Sequence, residues 1–195
     1  MKILYQGSPG AYSHMAALEV YPNAKIIPCK TFDECFSKAI EDEKVRIIIP
    51  ESNRITGNIG VEYLIFKYRL NIYAEHFHPV QHNLLGLPGS KTKDIKHVFS
   101  HAQALSQSSS FIKKNKLIEN VRADTAGSAA YIASNKKRDE AAIASKLSAK
   151  IYNLDILESN IENEKENVTR FLIMGKLTLQ PELKEKKYIT SFLFK

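Results

Sequence analysis

Two cysteines, Cys29 and Cys35, are all that the 195 residues contain. Two cannot build a disulfide framework or a zinc site of the usual ligand count. The expectation is a pair of reduced, half-buried thiols that behave as small hydrophobes. Long apolar runs are missing too: none approaches the roughly 20 residues that a membrane-spanning helix needs. The opening stretch MKILYQGSPG holds no apolar segment long enough for a secretory signal. These absences predict a cytoplasmic protein with no membrane partner, on which Asn167-Val168-Thr169, although it fits the glycosylation acceptor pattern, would carry no glycan. Internal repeats and low-complexity tracts are absent, as are helix-turn-helix and zinc-finger patterns.

What is present is an ordinary globular composition, 44% hydrophobic, enough for one large domain or two small lobes with their own cores. The net charge of +7 suggests an anionic partner, either nucleic acid or a small acid. The lysines fall in short clusters, KKNK (113–116), NKKR (135–138) and KEKK (184–187), without interleaved aromatics. That distribution reads as a solvated surface and argues against nucleic acid.

Short β-rich runs alternate with helical patterns, which predicts an α/β fold with largely parallel strands. The strand candidates are 2–5, 24–27, 45–49, 70–77, 82–87, 97–99 and 140–144, and the helix candidates are 11–20, 31–42, 101–114, 125–137 and 144–152. A final apolar run in ENVTRFLIMG (166–175) alternates faces like a strand behind a polar Asn-x-Thr-Arg. Two passages, FHPVQHN (77–83) and ESNIENEKEN (158–167), are placed to carry the chain out of one lobe and back. The expected division is 1–78 with 165–178 as the first lobe, 79–164 as the second, and 179–195 as a tail.

Four polar or glycine-rich junctions open helices after strands: QGSPGAYS (6–13), PESNRITGNIG (50–60), SHAQALSQ (100–107) and ADTAGSAA (123–130). Ligands of open α/β sheets bind beyond the strand carboxyl ends, and helix N-termini offer free N–H groups to anions. Four such junctions predict an anion-binding cleft, although each alone also suits a plain cap or turn. On a helix, Ser100, Gln103 and Gln107 would share one polar stripe, facing either ligand or solvent. His101 alone decides nothing.

In this order and spacing the junctions resemble the prephenate dehydratase family over about residues 1–175. The resemblance rests on QGSPGAYS, Ser-His-x-Gln-Ala-Leu-x-Gln at 100–107, Asp-Thr-Ala at 124–126 and Asn-x-Thr-Arg-Phe at 167–171, with AAIAS (141–145) and IYNLDIL (151–157) between the last two. It implies two α/β lobes with a double hinge, as in type II periplasmic binding proteins, and an active site between them. It also implies loss of carbon dioxide and water from prephenate to give phenylpyruvate, with no cofactor and no metal, by a homodimer. Thr169 is then the catalytic threonine, donating to the departing hydroxyl, with Ser100, Gln107 and Asn53 holding substrate oxygens. Substrate-binding roles are implied for Gly10, Ala11, Ser13, Ser52, His101, Thr125, Ala126 and Asn167, while Arg170 either touches substrate or pairs with a cleft or hinge carboxylate. One motif departs: the usual Pro-apolar-Glu-Asn-Ser-x-x-Gly reads PESNRITG (50–57), so Ser52 stands where glutamate is usual. Alternatives are arogenate dehydratase, or a non-catalytic two-lobe anion-binding protein. The final TSFLFK (190–195) looks like the first strand of a phenylalanine-binding ACT domain without the rest, which predicts a catalytic module free of feedback.

Overall fold

The computed structural model describes residues 1–177; the tail and the ACT-like strand expected there lie outside the described residues. In chain order the elements are β1 (Lys2–Gln6), α1 (Tyr12–Val20), β2 (Lys25–Cys29), α2 (Phe32–Glu41), β3 (Val45–Asn53), β4 (Gly57–Asn58), α3 (Glu62–Tyr68) and β5 (Asn71–Pro79). There follow β6 (Asn83–Gly86), β7 (His97–Ser100), α4 (Ala102–Gln107), α5 (Ser109–Lys114), β8 (Ile118–Val121), α6 (Thr125–Asn135), β9 (Glu140–Ala144), α7 (Lys146–Tyr152), β10 (Asp155–Glu158) and β11 (Val168–Gly175).

These strands form two mixed sheets flanked by helices, the expected two-lobed α/β class. The first sheet runs β2-β1-β3-β11-β5, with β4 hairpinned onto β3, and the second runs β8-β7-β9-β6-β10. The two orders correspond. In each, the fourth strand is the one that has just crossed from the other sheet, and it runs antiparallel to both neighbours. The largely parallel sheets expected from the alternation are therefore each interrupted by one reversed strand, besides the two-residue β4 hairpinned onto β3 in the first.

Alternation along β11 supplies the core of the first sheet. Leu172 and Met174 pack with Leu4, Ile47 and Ile49 on one face, while Phe171 and Ile173 pack with Ile3, Tyr5 and Ile48 on the other. α2 lies over one face and α1 over the opposite one, so both are covered. Cys29 and Cys35 are buried free thiols, with burial pushing the Cys35 thiol up.

The expected helix over 101–114 is broken. Ser108, with ψ near 15° and a fully buried side chain, ends α4 and begins α5 within a serine-rich run of modest helix propensity. β8 and β10 escape a periodicity reading because they are short edge strands, largely exposed. Among the described residues no helix is long and apolar enough to cross a membrane.

The two crossing segments lie side by side. Val80 N–H donates to the Asn167 carbonyl (2.8 Å), Ile161 N–H to the His82 carbonyl (2.9 Å), and His82 N–H to the Glu162 carboxylate (2.9 Å). On the opposite flank the turn before α1 docks onto the second sheet's helices. The hydroxyls of Ser145 and Ser148 donate to the Gly10 carbonyl at 2.5 and 3.1 Å, and Tyr152 donates to the Pro9 carbonyl at 2.8 Å. Gly10 has φ +96°, and a Cβ there would lie 2.5 Å from Ser148 Oγ. Only glycine fits this close approach.

Candidate active site

Between the sheets, bounded by the crossings and the Gly10 turn, lies a cavity of about 360 Å³. Three helices begin at its wall: α1 through Ala11, Tyr12 and Ser13, α4 through His101 and Gln103, and α6 through Asp124 and Thr125. Ala11 provides no side-chain cap, so the first-turn N–H groups of α1 stay available, whereas Asp124 caps α6 by accepting from Gly127 N–H (2.5 Å). A second hollow, along Ser90–Thr92 and Asp155–Leu157, opens to solvent at the edge of the second sheet and contains none of the candidate residues.

The cavity floor is set by Thr169, Asn53 and Gln107. Asn53 ends β3 directly opposite Thr169 on β11. Its Oδ1 accepts from the backbone N–H groups of Ile55 (3.0 Å) and Thr56 (3.2 Å), which fixes the amide orientation. Nδ2 must then face β11, where it is shared between Asn167 Oδ1 (2.7 Å) and Thr169 Oγ1 (2.9 Å).

That orientation propagates. With its oxygen used as acceptor, Asn167 turns Nδ2 to Gln107 Oε1 (3.0 Å), and the same oxygen lies 2.8 Å from His82 Nε2. Gln107 Oε1 can only accept, so His82 carries its proton on Nε2 and its Nδ1, 2.8 Å from the Tyr12 hydroxyl, shares that hydroxyl's proton with the Gln81 carbonyl, also at 2.8 Å. Burial holds the His82 pKa below its ordinary 6.5, against the raising influence of the Gln107 hydrogen bond and Glu162, so the ring is neutral at pH 7. Burial pushes the Tyr12 hydroxyl well up, helped by Glu162, which keeps it protonated.

Two donors remain unspent at the end of this chain. Thr169 Oγ accepts from Asn53, so its own proton is free for the cavity. The NH₂ of Gln107 has no partner among the described residues and belongs to a cavity-lining side chain.

Of the residues singled out in the sequence, the structure thus brings Thr169, Asn53, Gln107, Ala11, Ser13, His101 and Thr125 to the cavity wall. Others point elsewhere. Ser100 is the last residue of β7 and not part of the helical stripe; its fully buried hydroxyl donates to the Ile143 carbonyl at 2.6 Å. Gly10 serves the inter-sheet turn, and Ala126 is buried on α6. Ser52 lies off the cavity, bonded to Glu51 at 2.6 Å, because strand alternation sends it away from Asn53. Asn167 stands behind the wall as the bridge between Asn53 and Gln107. Arg170, opposite in face to Thr169, pairs with Glu75 (2.7 Å) and Glu51 (3.4 Å), the carboxylate-pairing alternative. Tyr12 and His82 were missed; the visible signal was a histidine inside the polar crossing FHPVQHN.

The sequence profile described as prephenate dehydratase matches residues 3–178. The chain belongs to the prephenate dehydratase family. Among curated proteins of this family it is 43% identical to arogenate dehydratase/prephenate dehydratase 1, chloroplastic, of Arabidopsis thaliana, covering 100% of this chain and 50% of the relative. It is 39% identical to arogenate dehydratase 2 of Petunia hybrida, covering 100% of this chain and 49% of that protein. The chain thus spans about half the length of these curated relatives. A solved structure described as GqqA, a novel type of quorum quenching acylase, superimposes with a TM-score of 0.85 at 33% identity, over 93% of this chain and 67% of the other. The prephenate dehydratase of Arthrobacter aurescens in complex with L-Phe gives the same TM-score at 23% identity, over 93% and 62%, and so shares the fold.

Proposed function

We propose that this prephenate dehydratase family chain catalyses the decarboxylating dehydration of prephenate, with Thr169 donating to the departing hydroxyl. The carboxylate on the ring leaves as carbon dioxide, its bonding electrons complete the aromatic ring, and the ring C–O bond breaks. The hydroxyl leaves as water, so the dianion takes up one proton and yields phenylpyruvate, carbon dioxide and water. No strong nucleophile is needed, because aromatisation drives the step.

The observation that carries this reading is the unspent Thr169 proton, fixed in direction by Asn53 and ultimately by two backbone N–H groups. Such donation from a preorganised hydroxyl is worth about 10²–10⁴-fold in rate. Gln107 and the open first turn of α1 supply donors for carboxylate oxygens, while Tyr12 and His82 hold Gln107 in place.

Incubating the protein with prephenate and following phenylpyruvate absorbance is the direct test. Thr169→Ala should keep the fold and ligand binding while turnover falls by about 10²-fold or more. Turnover within about threefold of wild type, under 1 kcal/mol of barrier, would remove Thr169 from the chemistry. Arogenate, which carries an amino group where prephenate has a side-chain keto oxygen, is favoured as the alternative substrate by one feature, the Asp124 carboxylate at the wall.

A further inference from the structure

Two histidines stand two positions apart on β5, His76 and His78, so their rings leave the same face of the strand. α1 covers that face and brings Glu19 to them. Glu19 Oε2 lies 2.9 Å from His76 Nε2 and 2.9 Å from His78 Nδ1, and the three potential ligand atoms lie within 4.8 Å of one another.

We propose that Glu19, His76 and His78 form a binding site for one divalent transition-metal ion, with zinc the best match. Two imidazole nitrogens and one carboxylate oxygen are a ligand set zinc accepts with solvent completing the shell, whereas calcium and magnesium favour all-oxygen surroundings. Ligand distances of about 2.0–2.2 Å around a tetrahedral ion put the ligand atoms roughly 3.3–3.5 Å apart. The two 2.9 Å separations from Glu19 Oε2 need to open slightly, and the two ring nitrogens, within 4.8 Å, are already in range of one ion.

The ligands sit on a strand and a helix, which keeps them pre-placed. The Glu19 side chain is 44% exposed and that of His76 26%, so an ion reaches them from solvent, while His78 is 2% exposed and anchors the inner side. Ligation through Nδ1 puts the His78 proton on Nε2, which is buried without a partner. Lacking an outer acceptor, His78 is a weaker ligand than most zinc histidines, by about 10–100-fold in affinity.

The location gives the ion a structural consequence. His78 pairs in register with Thr169 and His76 with Phe171, and the His78 ring contacts both Phe171 and Tyr12. An ion there would tie α1 to β5 behind the cavity wall without touching the cavity.

The test uses untagged protein stripped with EDTA and titrated with zinc chloride by calorimetry, with melting curves alongside. One zinc per chain and a raised melting temperature are expected, both lost in the Glu19→Gln/His76→Ala double variant and kept in His97→Asn. Cobalt substitution gives an independent readout: visible absorption of a low-coordinate cobalt(II) site is expected in wild type. Absence of saturable one-to-one zinc binding in wild type, or binding that survives the double variant, would overturn the site and leave only two rings sharing a carboxylate.

Discussion

Asp124 is the one carboxylate among the described residues that line the cavity, and no lysine or arginine accompanies it there. A dianion entering this space is met by dipoles and hydroxyls, with a negative charge at one corner. Asp124→Asn keeps an oxygen to cap α6 and removes the charge. With prephenate, the substitution should lower KM roughly fivefold, about 1 kcal/mol of relieved repulsion across a partly wet site. With arogenate, whose ammonium gains from the carboxylate, KM should rise instead. Steady-state kinetics on both substrates read the two signs, and equal KM values in variant and wild type would mean that Asp124 is fully occupied by Gly127 and Ser8.

At the scale of the element, the turn between β1 and α1 joins the two sheets through the carbonyls of Pro9 and Gly10, the latter accepting from two serines. Gly10→Ala places a side chain in a left-handed conformation, costing about 1–3 kcal/mol, and drives Cβ into Ser148. The expected result is a lower denaturation midpoint with a raised KM, because the turn also carries the start of α1. A midpoint and KM like those of wild type would show that the turn relaxes freely. The same turn marks what was legible in the sequence and what was not. QGSPGAYS announced a glycine-dependent strand–helix junction, and Thr169, Asn53 and Gln107 were visible through spaced motifs. The alternation read in ENVTRFLIMG also holds, with Phe171 and Ile173 packed together on one face of the sheet and Leu172 and Met174 on the other. Hidden were the facts that depend on where a neighbouring strand ends: that Ser100 closes β7 and spends its hydroxyl on Ile143, and that Gly10 faces Ser145 and Ser148 rather than substrate. Such partners lie 43 and 135 residues away, beyond any local period.

For the molecule as a whole, two histidines, the buried His82 and the partly buried His14, set how stability depends on pH. His82 and His14 both have pKa values held below 6.5 by burial, and His14 Nδ1 must stay unprotonated to accept from Gly10 N–H at 3.0 Å. The folded chain therefore prefers the neutral rings. As pH falls through about 6.5 the unfolded chain takes up protons that the folded chain refuses, so stability is full above that pH and declines below it. Urea denaturation at pH 7.5 and 5.5 should give a lower midpoint at the acid value, and a shallower pH slope in His82→Gln; an unchanged or higher acid midpoint would contradict this. The reversed strands, β6 and β11, carry a consequence for the order of synthesis. A ribosome releases every strand of the second sheet, β6 through β10, before it releases β11, which fills the gap between β3 and β5. The first sheet, although translated earlier, must wait with its centre open. Its Ile47, Ile48 and Ile49 stay without their final neighbours until Leu172, Ile173 and Met174 emerge, so the older half of the chain is the younger half of the fold.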